Sequence, residues 1–337
     1  MTRVAFGLGG NLPVRQAVEY ARYAEAQGFE SCWVHEAYWN RDASSYLVAM
    51  AVGTRRLGLA TGCINPHTRH PVLVASSLAT LDELSGGRAV LGFGTGYPGR
   101  LDEQGIAHDH PAAAMRESIT LIRRLWQGEK LTYTGRRFSL RNAALAVRPA
   151  HPVPIYLAGW GPLMLRIAGQ LCDGYLARAL ESPASCRRLI GAVRAAATAA
   201  GRPLGAVDTA AYVLCAVSGD RAAARAAMRR DPFVIYQFAV IDEAVLRESG
   251  VDPEVKRRIG EPFRRGDLEG ASREIGDALL DEFTLAGTAD DVIARLEAYA
   301  QAGVQLPILQ PIATTEPEVR RVIDVGREFA RSRAAAD

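Results

Sequence analysis

The stretch PIYLAGWGPLMLRIAGQLCDGYL, residues 154–176, contains three successive structural signals. A short apolar run over Pro154–Ala158 predicts a buried strand, and Pro162–Leu171 has the apolar spacing of a helix. A second apolar run over Asp173–Ala177 predicts another strand. Strands that alternate with helices in this way form parallel sheets, so the stretch predicts one strand–helix–strand unit of an α/β fold.

The same alternation extends along the chain in both directions. Further strands are predicted over Arg3–Leu8, Phe29–Val34, Arg56–Thr61, Ala89–Phe93, Val207–Val217 and Val304–Gln310. Helices are predicted over Val14–Gln27, Ser44–Thr54, Val72–Leu84, Ala112–Trp126, Ala184–Ala200, Asp290–Ala302 and Glu316–Arg331. Eight strand–helix units with a core of ~250 residues fit a (β/α)8 TIM barrel with insertions. A doubly wound open sheet is disfavoured because no GxGxxG motif follows the first strand.

Two segments interrupt the alternation. Residues near 130–145 alternate in places around a turn at Gly135, which predicts a hairpin insertion. Residues near 219–286 are more polar and mostly helical, and no clear strand is predicted there, so this segment is interpreted as an insertion or lid. We therefore expect residues 1–337 to form a single barrel domain that carries both insertions.

Composition excludes several classes of protein. The chain has 337 residues, 48% of them hydrophobic and 23% charged, and its formal net charge is +3. This balance is typical of a globular enzyme, and we expect no nucleic-acid partner. The five cysteines show no CxxC spacing, which indicates a reducing compartment. No stretch of ~18 apolar residues is present, so the protein is predicted to be cytoplasmic and to have no membrane partner.

The loops that follow the strands are the expected location of the active site, since barrel enzymes place their chemistry at the carboxyl ends of the strands. Gly94–Gly99 and Gly159–Gly161 are glycine-rich and follow adjacent strands. Glycine lets the backbone approach a flat ligand, and a helix N-terminus binds anions. For Gly159–Gly161, a phosphate cradle and a simple tight turn explain the pattern equally well. Thr61–Pro71 (TGCINPHTRHP) is polar and stiffened by two prolines.

Metal and nucleophile signatures are weak. His67 and His70 are three residues apart in a proline-rich loop, which is not the helical spacing of an HExxH site. No GxSxG elbow is present, and Cys63 is more typical of a small buried hydrophobic residue than of a nucleophile. The sequence therefore predicts no metal site.

Four blocks of sequence resemble one known superfamily. They are ATLDELSGGRAVLGFGTG (79–96), GFESCWVHEAYWNRDA (28–43), TGCINPHTRHP (61–71) and residues 154–176. Together they resemble the bacterial luciferase-like flavin and deazaflavin superfamily, and in particular its coenzyme F420-dependent branch, similar to methylenetetrahydromethanopterin reductases. The resemblance implies a TIM barrel, commonly a homodimer, with the cofactor at the carboxyl-terminal face and its phosphate near the loop after the fifth strand.

The resemblance also implies roles for individual residues. Members of the superfamily often have an Asp-His pair after the second strand, where this chain has Glu36-Ala37, with His35 one residue earlier. Glu36 is the candidate catalytic residue, as a general acid or a ring contact; a helix cap or an ion pair with Arg41 is the alternative. Cofactor contacts are implied for Gly62, Cys63, Asn65, Arg69, His70, Thr95, Gly96, Gly159, Trp160 and Gly161, although Trp160 fits a core aromatic nearly as well. A cis peptide bond is implied between Gly62 and Cys63.

The function implied by the resemblance is that of an F420-dependent oxidoreductase. Such an enzyme transfers a hydride between the deazaflavin and a small organic substrate, and the cofactor supplies the chemistry. An FMN-dependent luciferase-like monooxygenase is the first alternative. Oxygen uptake separates the two, because a deazaflavin forms no oxygen adduct. A non-catalytic flavin-binding barrel is the second alternative, since the superfamily histidine is absent at Ala37.

Overall fold

A computed structural model describes residues 3–312 and 315–334 of the chain. Its strands are β1 (Ala5–Leu8), β2 (Ser31–Val34), β3 (Gly58–Thr61), β4 (Ala89–Gly94), β5 (Leu131–Thr134), β6 (Ser139–Ala143), β7 (Ile155–Ala158), β8 (Gly174–Ala177), β9 (Asp208–Val217), β10 (Leu285–Gly287) and β11 (Leu306–Pro311). All strands of the main sheet pair in parallel, and β8 pairs with β9 to close the ring β1-β2-β3-β4-β7-β8-β9-β11. The predicted (β/α)8 barrel is confirmed.

Helices surround the barrel and form the larger insertion. They are α1 (Val14–Ala26), α2 (Ala43–Gly53), α3 (Pro71–Ser85), α4 (Pro98–Glu103), α5 (Pro111–Trp126), α6 (Pro162–Leu171), α7 (Pro183–Ala199), α8 (Arg221–Arg230), α9 (Pro232–Ala239), α10 (Glu243–Glu248), α11 (Glu254–Arg264), α12 (Leu268–Arg273), α13 (Asp277–Phe283), α14 (Ala289–Gln301) and α15 (Glu316–Ala334). No helix within the described residues is long and apolar enough to cross a membrane.

Large side chains fill the barrel interior. Trp33 is almost fully buried and meets the ring of Tyr156 edge-on, with centroids 5.1 Å apart. Tyr212 on β9 lies among the same interior residues. A filled interior of this kind is a packed core rather than a pore, so a ligand can enter only at the ends of the strands.

Two short elements were missed by the sequence analysis. The expectation that residues near 219–286 lack a strand is wrong at their end, where β10 pairs with Cys215–Val217 of β9. A strand of three residues carries too little periodic pattern to be detected, and it is held by pairing with β9. The glycine-rich exit from β4 likewise continues into the short helix α4, which begins at Pro98.

The two segments that interrupt the strand–helix alternation each form defined secondary structure. β5 and β6 form an antiparallel pair between α5 and β7. Helices α8 to α13 bury an apolar cluster of their own, in which the rings of Phe238 and Phe283 meet edge-on with centroids 6.2 Å apart. Leu214 and Ala216 of β9 belong to the same cluster. The helical segment is therefore anchored on the strand from which it departs.

Candidate active site

A cavity of about 360 Å³, here named the barrel cavity, lies at the carboxyl ends of the barrel strands. Its walls are the loops after the strands together with Asp231, Phe233, Tyr236 and Gln237 around α9. A second space of about 520 Å³, here named the outer chamber, adjoins it between α4 and α9. Both volumes are within the ~300–1,000 Å³ typical of small-molecule sites.

The residues predicted for the site divide into two groups. Those that line the barrel cavity are Glu36, Gly62, Cys63, Thr95, Gly96 and Trp160. Among the described residues, those predicted for the site but absent from its lining are Asn65, Arg69, His70, Gly159 and Gly161. Asn65, Arg69 and His70 support the wall from the loop after β3. Gly159 and Gly161 flank Trp160 at the exit from β7.

The peptide bond between Gly62 and Cys63 is cis, as the resemblance implied. A Cβ at Gly62 would overlap the hydroxyl of Tyr212, so glycine is the only residue that this packing admits. The Tyr212 hydroxyl is shielded from solvent and has no hydrogen-bond partner among the described residues. Burial raises the pKa of Tyr212 well above its ordinary value, so it stays a neutral phenol.

Glu36 is held by an arginine from the neighbouring loop. Arg69 donates from Nε to a carboxylate oxygen of Glu36 at 3.0 Å, and its Nη2 lies 2.9 Å from the same oxygen. The same guanidinium pairs with Asp42, which also caps α2 by accepting from the amide of Ser45 at 2.8 Å. Burial alone would raise the pKa of Asp42, but the hydrogen bonds from Arg69 and Ser45 outweigh it and lower that pKa.

The partner suggested for Glu36 by sequence was wrong. Arg41 instead donates to the backbone carbonyls of Gly10 and Asn11, at 3.3 and 3.1 Å. Arg41 is five residues from Glu36 in sequence, whereas Arg69 reaches it from 33 residues away because β2 and β3 are neighbours in the barrel. The Glu36 side chain is 11% exposed, and its contact with Arg69 fixes its position at the cavity wall.

His35 also lines the barrel cavity. Its position one residue before Glu36 did not predict which way its ring would point. Its ring stacks on Phe233 of α9, with centroids 5.7 Å apart and planes 9° from parallel. Burial lowers the pKa of His35 to about 4, and a hydrogen bond with Gln310 offsets this only in part. The ring is therefore neutral at pH 7, with one nitrogen able to donate and the other to accept.

The loop after β3 is stiff for identifiable reasons. The side-chain oxygen of Asn65 accepts from the amides of His67 and Thr68, at 3.0 and 2.9 Å. His70 caps α3 by accepting from the amide of Val72 at 3.3 Å. These contacts hold Cys63 and Arg69 in place, which is how residues behind the wall shape it.

The exit from β7 combines an aromatic ring with a helix N-terminus. Trp160 is 41% exposed and lines both spaces, so it is not a core aromatic. The guanidinium carbon of Arg178 lies 4.0 Å from the Trp160 ring centroid. Gly161 is the N-cap of α6, provides no capping side chain, and has open space where a Cβ would be. Backbone N–H groups at such an end can bind an anion.

Several residues of the site were not singled out from sequence. They are Tyr97, Arg100, Arg178, Asp231, Phe233, Tyr236 and Gln237. Tyr97, Arg100 and Arg178 lie in loops that directly follow predicted strands, so the expectation that these loops form the site covered their positions. The residues around α9 belong to a segment without a recognisable motif, and only folding brings them over the cavity. Within the described residues, no group of three or more His, Cys, Asp or Glu side chains could hold a metal ion.

Comparison with known proteins assigns the architecture. Residues 1–306 match the family model described as "luciferase-like monooxygenase". The chain is 36% identical to the 5,10-methylenetetrahydromethanopterin reductase of Methanolobus tindarius, covering 94% of this chain and 96% of the relative. It is 34% identical to the F420-dependent glucose-6-phosphate dehydrogenase of Kineococcus radiotolerans, covering 56% and 60% of the two chains.

A solved structure agrees over nearly the full length. The coenzyme F420-dependent tetrahydromethanopterin reductase from Methanopyrus kandleri superimposes with a TM-score of 0.87 at 26% identity, covering 98% of this chain and 99% of that one. The helical insertion is included in that coverage, so it is part of the shared architecture.

Proposed function

Because the chain belongs to the luciferase-like monooxygenase family, we propose that it is a coenzyme F420-dependent oxidoreductase that transfers a hydride between the deazaflavin and a small organic substrate. The observation that carries the proposal is that similar proteins with different named reactions share one coenzyme. The relatives from Methanopyrus kandleri and Kineococcus radiotolerans are both named as F420-dependent, one a reductase and the other a sugar-phosphate dehydrogenase.

The residues of the barrel cavity fit such a cofactor. Cys63 and Thr95 lie at the ends of neighbouring strands and would contact the ring system from the barrel side. Trp160 and the uncapped N-terminus of α6 would hold the phosphate. When bound, the deazaflavin supplies hydride donation or acceptance at its C5 position.

The residues of the chain orient the reacting groups, exclude water from the site and position the groups that can exchange hydrogen bonds or protons. Arg69 pairs with the Glu36 carboxylate and holds it in one orientation, so Glu36 would be a fixed contact at the ring edge. His35 is neutral and lines the cavity, so its ring offers the substrate a hydrogen-bonding group that carries no charge. Phe233 covers His35 from the insertion side and excludes water from that face.

We also propose that the protein is a homodimer. Helices α2 and α3 pack side by side, and each exposes large apolar side chains among the polar residues of its outward face. Val52 is 75% exposed and Leu73 63% exposed, and Val48 and Leu84 are exposed on the same two helices. Large apolar side chains that are exposed together on two neighbouring helices are typical of an interface, so a second copy of the chain is the expected cover for this face.

Separate titrations of the purified chain with F420 and with FMN test the cofactor proposal. Tight binding of F420 with weak FMN binding, followed by fluorescence and absorbance, is the expected result. The reverse preference, with oxygen uptake by the FMN-loaded protein, would contradict it and support the monooxygenase. Binding of F420 without turnover across a broad substrate screen would instead support a non-catalytic barrel.

A further inference from the structure

The outer chamber has a wall of consecutive aromatic rings. The Tyr97 and Tyr236 centroids are 6.1 Å apart, and those of Tyr236 and Phe263 are 5.9 Å apart. These rings come from the exit of β4, from α9 and from α11, which no local sequence pattern links. Aromatic rings at such spacings favour a further flat, unsaturated ring against them.

Arg178 supplies a cation at the junction of the outer chamber with the barrel cavity. Its Nε donates to Glu181 at 2.7 Å, and its guanidinium is stacked on Trp160, so the group is fixed in position. Its Nη2 is shielded from water and has no hydrogen-bond partner among the described residues. The carboxylate of Asp242 lies 4.0 Å from Nη2, beyond hydrogen-bonding distance. A shielded guanidinium N–H without an acceptor is suited to an anionic group of a ligand.

The other arginine of the chamber is already engaged. Arg100 donates to Glu103 at 2.8 Å, and Glu103 also accepts from the indole of Trp39. The guanidinium carbon of Arg100 lies 5.8 Å from the Tyr236 centroid, where it extends the aromatic wall. The chamber therefore offers one position for an anion, at Arg178, and one surface for a flat ring.

We propose that the outer chamber binds the substrate, and that the substrate is a planar aromatic compound carrying a carboxylate or a phosphate. Its ring packs against the row from Tyr97 to Phe263, and its anionic group accepts from Nη2 of Arg178. The two spaces share Trp160 and Arg178, so a bound compound also reaches the barrel cavity. This assignment of substrate class rests on the proposed oxidoreductase function.

Binding of four simple probes to the full-length chain, with and without F420, tests the substrate class. The probes are 2-naphthoate, 2-naphthyl phosphate, 2-naphthalenemethanol and cyclohexanecarboxylate, and dissociation constants are measured by calorimetry. We expect at least one aromatic anion to bind the F420-loaded protein at least tenfold more tightly than both the neutral alcohol and the non-aromatic acid. The relative affinity of naphthoate and naphthyl phosphate identifies the preferred anion.

Two arginine variants separate the proposed contact from general charge effects. Arg178→Gln is expected to reduce the affinity for the aromatic anion to that for 2-naphthalenemethanol, and to leave binding of the alcohol unchanged. Arg188→Gln is the matched control, because Arg188 also pairs with one carboxylate, Glu248 at 2.6 Å, but lines neither space. Retained binding of the alcohol shows that the Arg178→Gln chamber is intact.

Three results would overturn the proposal. They are equal affinities for the anionic and neutral naphthalenes, an equal effect of both arginine variants, and displacement of F420 by 2-naphthoate, which would assign the chamber to the cofactor. Failure of the chain to bind F420 at all would refute the proposed function alone. In that case, 2-naphthoate binding would be measured on the chain without F420. Its dependence on Arg178 would still decide whether the outer chamber prefers aromatic anions.

Discussion

The pairing of Arg69 with Glu36 and Asp42 gives the sharpest energetic prediction. Removing one partner of a buried ion pair costs about 3–5 kcal/mol, because the other charge is left buried and unpaired. The side chains here are 26%, 11% and 42% exposed for Arg69, Glu36 and Asp42, so solvent screens part of that cost. We therefore expect Arg69→Gln to lower the free energy of unfolding by about 2 kcal/mol.

The assay is urea unfolding of the chain without ligand at pH 7. The control is a variant of an arginine that also pairs with two carboxylates but lies on the surface. Arg257 also lies between two carboxylates, Glu254 and Glu261, but all three side chains are more than 40% exposed. Arg257→Gln is expected to cost much less than Arg69→Gln, because solvent screens both of its ion pairs. Glu36→Gln combined with Arg69→Gln should recover most of the loss, because the buried charge is then gone. Equal losses for the two arginine variants, or no recovery in the double variant, would refute the reasoning.

Three further predictions concern the cavity floor, an acid-sensitive histidine and the dimer face. Gly62→Ala should destabilise the protein by about 1–3 kcal/mol through overlap with the Tyr212 hydroxyl, and adding Tyr212→Phe should restore part of the melting temperature. The pKa of His35 is about 4 in the folded protein and 6.5 in the unfolded chain. Its contribution to the free energy of unfolding is therefore complete above pH 6.5 and is lost as pH falls towards 4. His35→Phe should therefore flatten the pH dependence of stability in that window, and an unchanged slope would contradict it. Val52→Glu should convert the dimer to a monomer in light scattering, whereas Leu204→Glu, at a position 90% exposed away from α2 and α3, should not.

The barrel was predictable from sequence because its signal is local and repeated. Apolar runs such as Pro154–Ala158 and helical spacing such as Pro162–Leu171 recur around the ring, and the bounds of each of the eight barrel strands lie within two residues of their prediction. The cis bond at Gly62–Cys63 was predictable only through resemblance, since no pattern of residue types identifies it.

The details of the site were less predictable because they depend on contacts between distant parts of the chain. Glu36 carries no local signal that its partner is Arg69 rather than Arg41. That choice depends on the adjacency of β2 and β3 and on the turn that Asn65 stabilises. Likewise, the direction of the His35 ring is set by Phe233, which comes from the insertion almost 200 residues later in sequence.

The two sides of the site differ in how they are built, and this difference bears on specificity. On the barrel side, Glu36 and Cys63 are fixed by an ion pair, a cis peptide and a turn, all between adjacent strand exits. On the opposite side, Phe233 and Tyr236 are carried by a helical segment that has its own apolar cluster and is anchored mainly on β9. Substitutions on that segment can change the shape of the chamber without disturbing the contacts that fix Glu36. We therefore expect cofactor preference to be determined by the strand exits and substrate preference by the insertion. Variants at Phe263, which lines the outer chamber but not the barrel cavity, should change substrate affinity and leave F420 affinity unaltered.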